Sequence, residues 1–244
     1  TPDSGYICGG YSASTISGNK TSAKLGRFDY WAIKIDSNGN IEWQKTFGGA
    51  GVDYLEKIIE ADNEYYLAGW SSSDSSTTKS ENSRCSFDYW IIKIDIDGNV
   101  LWDKTFGGDN LDRLSDIGFE NNKIIILGDS FSSASGEKSD SSFGSSDIWI
   151  LVSDTIGNVI WNKSYGGDSP EQNGRFIKQN TTYYFSAYSL SGISGNKTSP
   201  SKGGSWANSS SVKTPSISSF SMINGIKDSV IGWYKLQVLM PKGD

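Results

Sequence analysis

The chain contains no histidine, which removes the commonest general base, the Ser-His-Asp and Cys-His arrangements, and the usual zinc and copper ligand. Cysteine occurs only twice, at Cys8 and Cys85. Basic residues are few: 22 Lys and Arg stand against 28 Asp and Glu, for a net charge of -6. That balance excludes the basic footprint that nucleic acid or an anionic membrane surface requires of a partner. No apolar run approaches the ~20 residues of a membrane span, so membrane insertion is not expected, and no signal peptide is recognisable. Helical periodicity of 3.6 is absent throughout, which disfavours helical repeats. The chain opens in mid-pattern at "TPDSGYICGGYS" and reads as a fragment or processed product.

What is present is one sentence written three times. "DYWAIKIDSNGNIEWQKTFGG", "DYWIIKIDIDGNVLWDKTFGG" and "DIWILVSDTIGNVIWNKSYGG" begin at Asp29, Asp88 and Asp147, a pitch of 59 residues. Trp31, Trp90 and Trp149 keep this spacing, as do Trp43, Trp102 and Trp161, and Ser12, Ser71, Ser130 and Ser189. Self-similarity at fixed pitch points to a solenoid, a propeller or a related array. Each unit holds four short runs rich in β-branched and aromatic residues, in the second unit "DYLEKIIEA", "EYYLAGWS", "FDYWIIKID" and "NVLWDKTFG". Between the first and second runs lie "ADN", "ENN" and "QNT", and between the third and fourth "SNGN", "IDGN" and "TIGN"; Asn, Asp and Gly there supply the positive φ of tight hairpins.

The third run is apolar on both faces, with Trp90, Ile92 and Ile94 on one and Tyr89 and Ile91 on the other. A sheet covered on both sides is what a propeller blade is, held between its neighbours. The expected fold is therefore all-β: a β-propeller of four-stranded antiparallel blades, about four of them, with the first and last incomplete. Strand parity places the long Ser/Thr/Gly-rich connections between second and third strands on one side, with the Gly-Gly connections that lead to the first strand. That side is where binding is expected, because loops on a rigid scaffold carry most function. The loop composition itself reads as solvated and mobile.

The phrases "GYICGGYS", "DYWIIKIDIDGN" and "WDKTFGG" followed by an acidic residue resemble the β-propeller repeats of large secreted or surface proteins in Bacteroidota-type bacteria. The resemblance covers residues 1 to about 205 and implies an extracellular or cell-surface bacterial location, with export often by a type IX secretion system. It implies a binding or adhesion module and specifies no ligand. The units run about 1–49, 50–108, 109–167 and 168–205. The fourth fails partway: "WAN" stands at 206–208 where "DYW" is due. "NGIKDSV", Asn224 to Val230, can be encoded by DNA that reads "WDKRFG" in another frame, so residues 206–244 are expected to be a degenerate tail, off-frame and foreign to the fold.

Candidate site residues follow from the repeat. Asp53, Asp112 and Glu171 follow the Gly-Gly pairs and enter the innermost strand. They could form a ring of carboxylates that holds a cation or polar ligand; the favoured reading is that each accepts hydrogen bonds from the loop amides and fixes the turn. Because they recur once per unit, they do not read as a singular catalytic pair of the glycosidase kind. No cofactor is implied. The nearest approach to one is "DIDGN", where Asp95 and Asp97 resemble the start of a calcium loop, but the distal Glu is missing and a hairpin turn is the better reading.

Six of nine tryptophans occupy repeat-equivalent strand positions, where aromatics pack between blades, and the loops carry no Tyr and no Trp before Trp206. A sugar-stacking platform thus loses support, with Trp70 left as the one to test, since Tyr11, Asp129 and Tyr188 align with it. Cys8 aligns with the apolar Leu67, Ile126 and Phe185 and is expected to be buried; Cys85 falls in a loop, so no disulfide is expected. The functional expectation is a non-enzymatic extracellular module for a protein or polysaccharide partner, or a spacer. The alternative is a glycan-active hydrolase using carboxylates on the loop face.

Overall fold

The computed structural model describes residues 1–179, 182–197 and 233–236. Its strands are β1 (Tyr6–Ser12), β2 (Asp29–Ile35), β3 (Ile41–Phe47), β4 (Asp53–Ala61), β5 (Glu64–Ser71), β6 (Asp88–Ile94) and β7 (Val100–Phe106). They continue as β8 (Asp112–Glu120), β9 (Lys123–Ser130), β10 (Asp147–Asp154), β11 (Val159–Tyr165), β12 (Glu171–Gln179), β13 (Thr182–Ser189) and β14 (Trp233–Leu236). These form four antiparallel meanders in chain order, β1-β2-β3, β4-β5-β6-β7, β8-β9-β10-β11 and β12-β13-β14. The described residues contain no helix. The architecture is the all-β, β-propeller type.

The turns adopt the conformations their residues favour. Asp62, Asn63, Asn121 and Asn122 have φ of 56°, 60°, 49° and 56°, the positive values of a two-residue hairpin. In the outer hairpins Gly39, Gly98 and Gly157 lie at φ 84°, 77° and 87°, where a side chain would be strained. Asp95 locks its hairpin by accepting the amides of Asp97 and Asn99 at 3.0 and 2.7 Å, and Asp36 and Asp154 repeat the pattern.

The core lies between blades. Tyr30, Ala32 and Phe47 of the first meet Leu55, Leu67, Trp90, Ile92 and Ile94 of the second. The opposite face of the second, with Tyr66, Ala68, Tyr89 and Ile91, meets Leu114, Ile117, Ile126, Trp149 and Leu151 of the third. Ile125, Leu127, Ile150 and Val152 then meet Tyr183 and Phe185 of the fourth. The two faces of the third strand thus serve two interfaces, as its double apolar pattern requires. Each side chain removed from water there contributes roughly 1.5–3 kcal/mol.

Two expectations change. Cys8 is exposed, not buried. Its counterparts Leu67, Ile126 and Phe185 face the preceding blade, and among the described residues none covers that face of β1. The long loops are not merely solvated: Lys20, Lys79, Lys138 and Lys197, 59 apart, are 5, 1, 2 and 3% exposed and pin each loop inward. Of the tail, Trp233–Leu236 pairs with β13 where the third strand of a blade belongs, Tyr183 facing Leu236 as Tyr65 faces Ile94. The remainder of 206–244 lies outside the described residues.

Candidate functional site

On the loop side, the second, third and fourth blades each begin with a knot of buried charge. The Gly49, Gly108 and Gly167 amides donate to Asp53, Asp112 and Glu171 at 3.0, 2.8 and 2.8 Å. Ser71 and Ser73 add hydroxyl donors to Asp53, Ser132 donates to Asp112 at 2.8 Å, and Ser189 to Glu171. The three carboxylates are 0, 0 and 5% exposed, so they fix the Gly-Gly connection from within.

Each is accompanied by an aspartate that opens the third strand of the preceding blade and that the sequence did not single out: Asp29, Asp88 and Asp147, all fully buried. A Cβ at Gly48 or Gly166 would overlap both members of a pair, Asp29 with Asp53 and Asp147 with Glu171, and at Gly107 it would overlap Asp88. Only glycine lets the backbone pass this close. Asp29 takes the amides of Leu25 and Gly26 at 2.9 and 2.8 Å. Asp88 takes the Arg84 amide at 2.6 Å on Oδ2, while its Oδ1 has no hydrogen-bond partner among the described residues. Burial, and then the neighbouring Asp112 charge, push Asp88 up to about 6; burial and Glu171 do the same for Asp147. Asp53 and Asp112 are raised as well, by burial opposed by their serine and glycine donors.

The buried lysines sit beside these knots. Lys79 donates to Thr105 Oγ1 at 2.7 Å and to the Glu81 carbonyl, with Nζ 5.6 Å from the Trp90 ring centre. Lys138 donates to the Ser132 carbonyl at 2.8 Å and to Ser142 at 2.9 Å. Burial lowers the pKa of all four, because a desolvated ammonium loses hydration. Asp95 is occupied by its own turn and Asp97 is exposed beside it. Among the described residues no three acidic or cysteine side chains converge as a metal-ligand set.

Above this recurring layer the mouth of the loop side varies from blade to blade. Trp70, at the end of β5, belongs to a ribbon of five rings. Tyr11 meets Tyr54 at 4.4 Å, Tyr54 meets Trp70 at 4.4 Å, and Trp70 meets Phe87 edge-on at 4.7 Å. Phe28 lies against both Tyr54, at 5.4 Å, and Tyr11, at 5.8 Å. Tyr11 is 52% exposed and the other four rings are half-buried. Glu56, exposed, accepts from Trp70 Nε1 at 3.2 Å. The third blade places Arg113 and Asp129 where Tyr54 and Trp70 stand, joined at 3.0 Å, with Phe131 beneath the guanidinium. In the fourth, Gln172 and Tyr188 line a cleft of about 300 Å³ with Pro170, Asn173 and Leu190. Sequence reasoning missed the ribbon because its rings are scattered over two blades, Tyr11, Tyr54 and Trp70 on strands and Phe28 and Phe87 just ahead of β2 and β6; the alignment of Trp70 with Tyr11 and Tyr188 was the only signal.

No family model matches the chain, and no curated protein does. Among solved structures it is similar to a B. megaterium levansucrase mutant, at 12% identity and a TM-score of 0.43. That alignment takes in 78% of this chain, which spans 58% of the levansucrase chain.

Proposed function

We propose that the chain is a non-enzymatic extracellular β-propeller module that presents its loop side to a protein or glycan partner. The observation that carries this reading is the contrast between two layers of one surface. Asp53, Asp112, Glu171 and the four buried lysines repeat as scaffold, whereas Tyr54, Arg113 and Gln172, one layer out, share a position and nothing of its chemistry. A surface that varies over a frame that does not is suited to recognition. The sequence resemblance to surface proteins supports the extracellular setting.

A hydrolase would need two carboxylates open to a shared substrate space. The carboxylates available at the knots are buried and already engaged by amides and serines, so they favour a scaffold role. The test measures binding of protein and glycan candidates to the full chain and to Tyr11→Ala and Trp70→Ala variants, alongside turnover on a polysaccharide panel. Binding that weakens in those variants is expected. Turnover abolished by Asp112→Asn in a folded protein would overturn the reading.

A further inference from the structure

Resting on that reading, we infer that the ribbon Tyr11–Tyr54–Trp70–Phe87 is a subsite for a neutral, extended glycan whose rings stack along it. The chemistry of the strip is mixed in the way a sugar is mixed. Aromatic faces meet the apolar C–H faces of pyranose rings, while the tyrosine hydroxyls, the indole N–H and a carboxylate meet hydroxyls. Successive ring centres are 4.4, 4.4 and 4.7 Å apart at interplanar angles of 89°, 43° and 85°, so the rings brace one another in a continuous strip with Tyr11 at its open end. Phe28, stacked at 26° on Tyr54, backs the strip on the first-blade side.

Three features select a neutral ligand over an anionic one. Glu56 lies exposed beside Trp70, where it repels an acidic glycan and accepts hydrogen bonds from an uncharged one. At the third-blade end Arg113 is already paired with Asp129, and Lys57 of the second blade is paired with Asp116 of the third at 2.5 Å. The chain as a whole carries a net charge of -6. The rings do not recur in the third blade, where an ion pair between Arg113 and Asp129 stands in the place of Tyr54 and Trp70 and ends the strip.

The experiment titrates the full chain with neutral oligosaccharides (cello-, xylo-, malto- and manno-hexaose) and with the anionic polysaccharides heparin and alginate, read by calorimetry and tryptophan fluorescence. A neutral hexaose is expected to bind and to quench indole emission. Tyr11→Ala, at an exposed ring, and Trp70→Ala are each expected to weaken binding about tenfold or more, and Glu56→Gln more mildly, as loss of a stacking or a polar contact does. A cooperative melt for each variant keeps loss of binding separate from loss of fold. If no neutral hexaose binds the folded chain, or if one binds unaffected by Tyr11→Ala and Trp70→Ala, the inference is overturned. Preference for the anionic polysaccharides, or a protein ligand sensitive to the same variants, overturns the inference and leaves the binding-face reading standing. Binding by no ligand class that depends on these residues overturns both.

Discussion

Tyr30 donates its hydroxyl to the backbone carbonyl of Trp90 at 3.0 Å, and one unit later Tyr89 makes the same bond to Trp149 at 3.3 Å. Both phenols are fully buried, and burial raises their pKa well above the ordinary value. Their rings lie 4.7 and 4.9 Å from the tryptophan rings they reach toward. One side chain therefore sets both the spacing and the height of the next blade. Tyr89→Phe keeps the ring and leaves a buried carbonyl short of a partner, so a loss of about 1–2 kcal/mol is expected, measured by denaturant unfolding. An unchanged midpoint would show that the bond does not couple the blades.

Asp88 titrates at about 6 in the folded chain, against an ordinary value near 3.9. The native state therefore binds more protons than the unfolded state between these values. Its contribution to stability is fully present below about pH 4 and is lost as pH rises through 6. At pH 7 the ionised, buried group costs up to about 3 kcal/mol relative to the protonated form. Asp88→Asn, which still accepts from the Arg84 amide, should melt higher than the parent at pH 7, and the difference should shrink or reverse at pH 4. A difference in melting temperature that does not depend on pH would refute the assignment.

Lys79 is 1% exposed and joins the loop that follows β5 to Thr105 of β7. Lys79→Met keeps the stem and removes the charge near Asp53, Asp88 and Asp103. A loss of about 2 kcal/mol is expected, within the range for uncoupling buried charge. Faster amide exchange should be confined to residues 72–87 and their contacts, measured by hydrogen–deuterium exchange; uniform acceleration would argue against a local pin.

Gly107→Ala places a Cβ on the carboxyl of the fully buried Asp88. Overpacking of this kind typically costs about 1–3 kcal/mol. The double variant Gly107→Ala with Asp88→Ala should recover part of that loss, and a strictly additive pair would refute the contact.

Cys8 and Cys85 are both free and exposed. Both thiols should react with a water-soluble disulfide reagent in the folded chain, without the lag that opening of a blade would impose. A single reactive equivalent before unfolding would mean that the first-blade face is covered.

Much of the frame was readable in the residues. The alternation in "DYWIIKI" assigns Trp90 and Tyr89 to opposite interfaces, and the period of two makes this unambiguous. The Asn and Gly turns followed from positive φ. The mouth was harder to read. Bulges between Leu55 and Lys57, and between Leu114 and Asp116, shift the register of the inner strand, and the ring contacts of Tyr54 reach across to Tyr11 and Phe28 of another blade. The lysine pins were hidden for a different reason. Their loops have a solvated composition, and only the 59-residue recurrence of Lys20, Lys79, Lys138 and Lys197 set them apart.

The separation between packing positions and mouth positions makes each blade a socket with an exchangeable front. Tyr54, Trp70 and Phe87 of the second blade correspond, one pitch on, to Arg113, Asp129 and Ser146 of the third, while the tyrosines and tryptophans that seat the blades lie deeper. Grafting the third blade's trio onto the second would turn a greasy strip into a charged one, remove the ring contacts of Tyr54 with Tyr11 and Phe28, and leave the deeper tyrosine and tryptophan joints as they were.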